Sequence, residues 1–230
     1  MIKGLLIDFG GTIDTDGVHW YRMFRDAYPE EVSDELLREA YVHAERTLGR
    51  ESIILPGDSF CRTLQTKIRL QTEYLQSLGV TVMHPDNVHA CCYNKVVSHI
   101  STVSGPALER VGLPKVLVTN FYGNMHTVLE EFGLSHLFVD VVESSVVGVR
   151  KPDPEIFRLG AKALGLDPLE TVMVGDSPEK DIIPAQTAGC RTIWLKGQGW
   201  AEADCVPDVT ITSLSQICQA FIPLCSSGAL

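Results

Sequence analysis

Long hydrophobic runs, paired cysteines and clustered basic residues are all missing from this chain. No stretch approaches the ~20 apolar residues needed to span a bilayer, so a membrane function is not expected. The N-terminal residues Met1 to Ile7 enter a short apolar run without a small-residue cleavage site, and read as a first strand rather than a signal peptide. The seven cysteines, at positions 61, 91, 92, 190, 205, 218 and 225, are odd in number and scattered, with no CxxC pair. Neither a disulfide framework nor a zinc site is implied, and reduced thiols in a cytoplasmic protein are the expectation. No Lys/Arg run exceeds Arg150-Lys151, and a net charge of −10 with a pI near 5.1 repels polyanions. A nucleic-acid partner is therefore not expected, although a local positive pocket for a small phosphate is compatible with this balance. The remaining composition, 45% hydrophobic and 21% charged over 230 residues, suits one large core or a core with an inserted subdomain. No repeat is present, and nothing in the sequence specifies an oligomeric state.

The chain changes rhythm twice. Lys3 to Phe9 is a compact apolar run ending at Gly10-Gly11, as a buried strand entering a tight turn would be. From Val18 to about Arg110 the spacing is helical. Ser33 can cap a helix reaching about Leu48, Asp58 or Ser59 can open another to Leu78-Gly79, and His84-Pro85-Asp86 starts a third to about Ile100. After Pro114, strand-like runs at 115–119, 138–142, 171–174, 191–195 and 209–212 alternate with helical segments near 123–132, 154–165, 179–188 and 213–221. Such alternation predicts an α/β fold, a Rossmann-like and mostly parallel sheet with helices on both faces. The expected division is a core of residues 1–14 and 111–230 with an α-helical cap, 15–110, inserted after the first strand. The tail from Cys225 to Leu230 is expected to fray.

In open sheets of this kind ligands sit beyond the carboxyl ends of the strands. Polar residues gather at four such ends. The first strand runs into Asp8-Phe9-Gly10-Gly11-Thr12 and the second into Thr119-Asn120. Lys151 follows the third, ahead of Pro152-Asp153-Pro154, and the fourth ends in Gly175-Asp176-Ser177 with Asp181 beyond. A carboxylate, a hydroxyl, a cation and an acidic pair thus converge on one sheet edge, more than folding alone requires. Asp153 can cap the helix that follows and Pro154 suits its first turn, which would fix the backbone beside Lys151. Arg150 and Glu179 read as solvated neighbours.

Together these segments resemble the four ordered motifs of the haloacid dehalogenase-like hydrolase superfamily, and the resemblance covers nearly the whole chain. It implies that Asp8 is a nucleophile forming an aspartyl-phosphate, splitting one hard displacement into two easier ones. Thr119 and Asn120 would bind the phosphoryl oxygens with Gly11 and Thr12 of the first motif, and Lys151 would neutralise charge at the nucleophile. Mg²⁺ would be held by Asp8, the Gly10 carbonyl, Asp176 and Asp181, offsetting repulsion between two anions. For Asp181 a helix-start charge favoured by the helix dipole is an equal alternative.

One position departs from the pattern. Phosphatases of the family place a second aspartate two residues after the nucleophile, to protonate the leaving oxygen and then activate water; here Gly10 stands in its place. Such acid–base help is worth ~10²–10⁴-fold in rate. Asp14, Asp16 and His19, at the core–cap junction, are candidate replacements, each with an ordinary turn or cap role beside it. The expected function is a Mg²⁺-dependent hydrolase, phosphatase-like, acting on a small phosphorylated metabolite. The alternatives are a phosphate- and Mg²⁺-binding protein without turnover, a dehalogenase, or a phosphonatase; the last needs a cap lysine, and only Lys67 and Lys95 occur there. Candidate specificity residues at the start of the cap are His19, Trp20, Arg22 and Arg25, the arginines three apart on one helix face, where solvation is their ordinary fate. His43, His84, His89 and His99 show no liganding pattern.

Overall fold

A computed structural model of the chain describes residues 1–197 and 205–226. Strand β1 (Gly4–Ile7) is followed by a kinked turn over Phe9–Ile13 and by the helices α1 (Trp20–Ala27), α2 (Asp34–Arg50), α3 (Phe60–Ser77), α4 (Pro85–His99) and α5 (Gly105–Glu109). The chain then alternates through β2 (Lys115–Thr119), α6 (Met125–Glu131), β3 (Asp140–Glu143), α7 (Ser144–Val147), α8 (Glu155–Ala163), β4 (Thr171–Gly175), α9 (Ile183–Ala188), β5 (Arg191–Leu195), β6 (Val209–Ile211) and α10 (Ile217–Ser226).

The six strands form one parallel sheet in the order β3-β2-β1-β4-β5-β6. The chain builds outward from β1 on one side, then returns to build outward on the other. This reversal puts β1 at the centre, with Ile7 level with Leu117 of β2 and Val174 of β4. Parallel strands covered on both faces read as unbroken apolar runs. In β1 Leu6 faces one layer, with Val116, Val118, Phe157 and Met173, while Leu5 and Ile7 face the other, with Leu117, Val172 and Val174. The second layer continues into the helices after β1, taking in Phe9, Phe24, Phe60 and Leu64.

The inserted helices start where their caps predict. The Ser33 hydroxyl accepts from Leu36 N and that of Ser59 from Arg62 N. Several boundaries differ from the sequence reading, among them the last helix, which runs over Ile217–Ser226 and not 213–221. The fourth helix ends at His99, close to the expected Ile100, and a wide turn at Ile100–Ser104 leads on into α5; the Ser104 hydroxyl donates to the Ile13 carbonyl beside the first motif. Strand β3 lies two residues later than expected at its start and one later at its end, because Glu143 pairs with Thr119 and its carboxylate accepts the Met125 N–H that opens α6. The tail expected to fray begins inside α10, and residues 227–230 lie outside the described ones. Among the described residues no helix is long and apolar enough to cross a membrane.

Leu6 is fully buried between β2, β4 and α8. Leu6→Ala is expected to lower stability by about 2–5 kcal/mol, as deletion of a buried side chain leaves a cavity. Urea unfolding followed by circular dichroism measures this; a loss below about 1 kcal/mol would contradict so tight an interior.

Candidate active site

The sheet order makes β2, β1 and β4 neighbours, so the residues just past their carboxyl ends meet. Lys151 arrives from beyond β3, and its Nζ donates to Asp8 Oδ1 and to Asp181 Oδ1, each at 2.6 Å. These side chains are almost wholly buried, 2% exposed for Lys151, 9% for Asp8 and 1% for Asp181. Burial opposes the charge on Lys151, but the carboxylates of Asp181 and Asp8 outweigh it and hold the ammonium above its ordinary range. Asn120 fixes the backbone from which Lys151 projects: its Nδ2 donates to the Lys151 carbonyl at 3.0 Å and its Oδ1 accepts from Lys151 N at 2.9 Å. The Asn120 amide thus grips the lysine backbone with one N–H and its oxygen, and Asn120 also lines the cavity. Asp153 Oδ1 accepts from Glu155 N at 2.9 Å, anchoring the following helix.

Carboxylate oxygens of Asp8, Asp176 and Asp181 lie within 4.8 Å of one another. Burial, the largest effect, pushes Asp8 up to about 6 although Lys151 pulls it down. Asp176 is raised well above the carboxylate range, first by burial and then by the charges of Asp181 and Asp8. Three oxygen-bearing acids with one ammonium between them leave negative charge uncompensated, and that donor set suits a hard divalent cation such as Mg²⁺. Asp181 has both oxygens engaged, Oδ2 accepting from Ser177 N at 3.1 Å. Asp176 keeps Oδ2 free of hydrogen bonds among the described residues, while its Oδ1 accepts from the Thr12 hydroxyl at 3.2 Å.

Gly11 and Thr12 brace this site. Gly11 has φ +93°, and a Cβ there would lie 2.5 Å from Asp176 Oδ2, so only glycine lets the loop approach the acid. Thr12 is fully buried and also accepts from Asp176 N. Gly10 is different: a Cβ built there meets nothing within 4 Å, leaving open space two residues beyond Asp8. Thr119 is buried, and its hydroxyl makes no hydrogen bond among the described residues.

These groups form the floor of a cavity of about 1080 Å³ between the sheet edge and the inserted helices. Of the three groups at the core–cap junction, Asp14 and His19 line it. Asp16 instead accepts from Leu214 N at 2.7 Å. The Asp14 carboxylate accepts from Gly11 N at 2.6 Å and from Trp20 Nε1 at 2.7 Å. Burial pushes it up to about 7 against the pull of those two donors. His19 is drawn down to about 4, chiefly by burial and then by Lys180; its Nδ1 accepts from Tyr21 N. Trp20 and Arg22 also line the cavity. Arg25 does not, because it donates to the Tyr28, Pro29 and Val32 carbonyls. Arg150 and Glu179 are exposed at the cavity wall.

On the opposite wall the sequence reading named Lys67 but missed its partners Glu45 and Tyr122. Lys67 of α3 and Glu45 of α2 form an ion pair at 2.7 Å, and Tyr122, just past β2, donates to Glu45 at 2.9 Å. Burial works against the Lys67 charge, yet Glu45 outweighs it and keeps the amine protonated. Lys95 lies outside the cavity, paired with Asp26. Helical spacing put Glu45 and Lys67 on amphipathic helices, but no local pattern distinguished them from solvated charges.

The sequence profile of the haloacid dehalogenase-like hydrolases matches residues 2–189. The chain belongs to that family. Among curated relatives, the phosphoserine phosphatase of Thermus thermophilus is 37% identical over 111 residues, 47% of this hydrolase and 45% of that protein. The glyceraldehyde 3-phosphate phosphatase of Pyrococcus furiosus is 39% identical over 88 residues, 36% of this chain and 37% of that one. The match thus spans less than half the length of either relative. The crystal structure of L-2-haloacid dehalogenase from Xanthobacter autotrophicus superposes with a TM-score of 0.59 at 15% identity, covering 100% of both chains, and shares the fold.

Because Asp8 and Asp176 hold protons to higher pH than ordinary carboxylates, a divalent cation must displace those protons at lower pH. Millimolar Mg²⁺ is expected to raise the melting temperature at about pH 8 and to do so much less at about pH 5.5. Differential scanning fluorimetry reads the shift; no stabilisation at either pH would remove the ion from this cluster.

Proposed function

We propose that this hydrolase is a Mg²⁺-dependent phosphatase acting on small phosphorylated metabolites, with Asp8 as its nucleophile. The observation that carries the reading is the Lys151 ammonium shared between Asp8 and Asp181 at the cavity floor, with Asp176 completing the acidic cluster. The relatives named as phosphatases of phosphoserine and glyceraldehyde 3-phosphate support the substrate class.

In this mechanism an Asp8 oxygen attacks phosphorus, the bond to the leaving oxygen breaks, and an aspartyl-phosphate forms. Water then cleaves that intermediate, releasing inorganic phosphate and restoring Asp8. Lys151 offsets charge on the nucleophile and the phosphoryl group, and the Thr119 hydroxyl donates to a phosphoryl oxygen. Asp8, Asp176, Asp181 and the Gly10 carbonyl would hold Mg²⁺, whose charge moderates repulsion between carboxylate and phosphate.

Asp14 supplies the proton that Gly10 cannot. With its carboxyl raised to about 7 it retains a proton near neutrality, whereas His19, lowered to about 4, carries none to give. A protonated Lys67, ion-paired with Glu45, speaks against the free amine that imine chemistry on a phosphonate requires.

Two sets of measurements test this reading. Asp8→Asn is expected to abolish phosphate release in a screen of phosphate monoesters with Mg²⁺; saturable ligand binding without turnover across the panel would replace the enzyme by a binding protein. With Mg²⁺ present the rate should rise with pH at values below about 6, because the cation competes with the Asp8 proton, and fall as Asp14 loses its proton near 7. Asp14→Asn should remove the falling limb and cost ~10²–10⁴-fold on alkyl phosphates, but little on nitrophenyl phosphate, whose leaving group needs no proton. The open space at Gly10 admits an acid, so Gly10→Asp should restore the Asp14→Asn variant. An unchanged pH profile in Asp14→Asn would remove Asp14 from the chemistry.

A further inference from the structure

Charge in this molecule is unevenly placed. The chain carries 19 Lys and Arg against 29 Asp and Glu. Eight of those cations, but only six of the acids, line the one cavity described above. The imbalance sits on the side away from the reacting groups. Asp8, Asp176 and Asp181 gather around Lys151 at the floor, and Asp14 is held by Gly11 and Trp20. On the cap wall the one lining acid is Glu45, and Lys67 neutralises it. Arg22 of α1 and Arg46 and Arg50 of α2 also line this wall, and none has a carboxylate partner among the described residues. Arg46 and Arg50 stand four apart on one helix face, an arrangement of like charges that is unfavourable unless an anion lies between them.

The cavity, about 1080 Å³, is far larger than a phosphoryl group requires, so the rest of the substrate meets this cationic wall. Guanidinium groups match planar or tetrahedral oxyanions with paired hydrogen bonds, and a cleft with low-dielectric walls concentrates their field. We propose that the substrate bears a second oxyanion, a carboxylate or a second phosphate, received by Arg22, Arg46 and Arg50 while the first phosphate meets Asp8. This inference rests on the phosphatase reading for the orientation of the ligand, but its own content is the selectivity of the cap wall.

The test compares three probes on the full chain with Mg²⁺: ethyl phosphate, phosphoglycolate and ethanediol bisphosphate. Affinities are taken by calorimetry on the Asp8→Asn variant, and phosphate release is followed separately on the unaltered protein. At least one doubly anionic probe should bind ~10-fold or more tightly than ethyl phosphate, as expected for added charge-assisted hydrogen bonds. Which of the two it is distinguishes a carboxylate from a second phosphate. Raising the salt concentration should shrink the preference. The double variant Arg46→Gln with Arg50→Gln should bring the ratio close to one, with Arg22→Gln as an independent variant should the first melt early. Arg69→Gln, a cap arginine paired with Glu73 outside the cavity, removes one positive charge as Arg22→Gln does and should leave the ratio unchanged. Equal affinity for all three probes, or a preference that survives the arginine variants, overturns the inference. Turnover of all three esters at equal kcat/KM also overturns it while leaving the phosphatase reading intact. Selective binding without turnover does the reverse.

Discussion

A single buried ammonium organises this protein. Lys151 enters a nearly dry region and survives there charged because two carboxylates meet it at hydrogen-bond distance. Removing one partner from such an arrangement costs about 3–5 kcal/mol, since it strands an uncompensated charge. The surrounding fold is arranged to prevent that. Asn120 clamps the lysine backbone from the end of β2, Ser177 N fixes Asp181 from beyond β4, and Thr12 fixes Asp176 from the loop after β1. Three central strands therefore contribute to one electrostatic balance, and the parallel sheet with β1 in the middle is what lets them do so.

The same loop after β1 joins the core to the inserted helices. Phe9, next to Asp8, packs edge-on against Phe60 of α3 and Phe121 beyond β2, and stacks with Phe132. Glu131 of α6 accepts from the Phe60 and Cys61 N–H groups at the start of α3, where a negative charge also meets the positive end of the helix dipole. Asn124 adds hydrogen bonds to Asp58 and Thr63. These contacts set the helices over the sheet edge and give the cavity its far wall, with Glu45 tied to Tyr122 across the gap. Asp14 belongs to both halves, receiving one hydrogen bond from the motif loop and another from Trp20 at the start of α1.

Gly10 and Gly11 show how differently adjacent glycines act. Gly11 is required by its positive φ and by the closeness of Asp176, whereas Gly10 has room around it and a conformation open to other residues. The framework at position 10 would thus accept a carboxylate. Asp14, raised to about 7 by burial, lines the same cavity and accepts its hydrogen bond from Gly11 of the same loop.

Much of the fold was legible in the chain order of short apolar runs, each followed by a polar residue. Parallel strands buried on both faces leave that signature directly, and right-handed crossovers allow few ways to assemble them. Asp8, Thr119, Lys151, Asp176 and Asp181 stood out because strand ends are fixed by local sequence and point to one edge. The third strand was misplaced by two residues at its start because Phe138 and Val139 carry the apolar signal while Glu143, a charged residue, completes the ladder by bonding to α6. Asn120 also grips Lys151, a pairing across 31 positions that no local pattern records. Tertiary structure alone decided which of Asp14, Asp16 and His19 face the cavity, and that Arg22 enters it while Arg25 turns away. It alone brought Glu45, Lys67 and the arginines of α2 opposite the acid cluster. Periodicity says that a helix has a buried face; how that helix is set over its neighbours depends on packing between segments far apart in the chain, and that setting determines which charges meet.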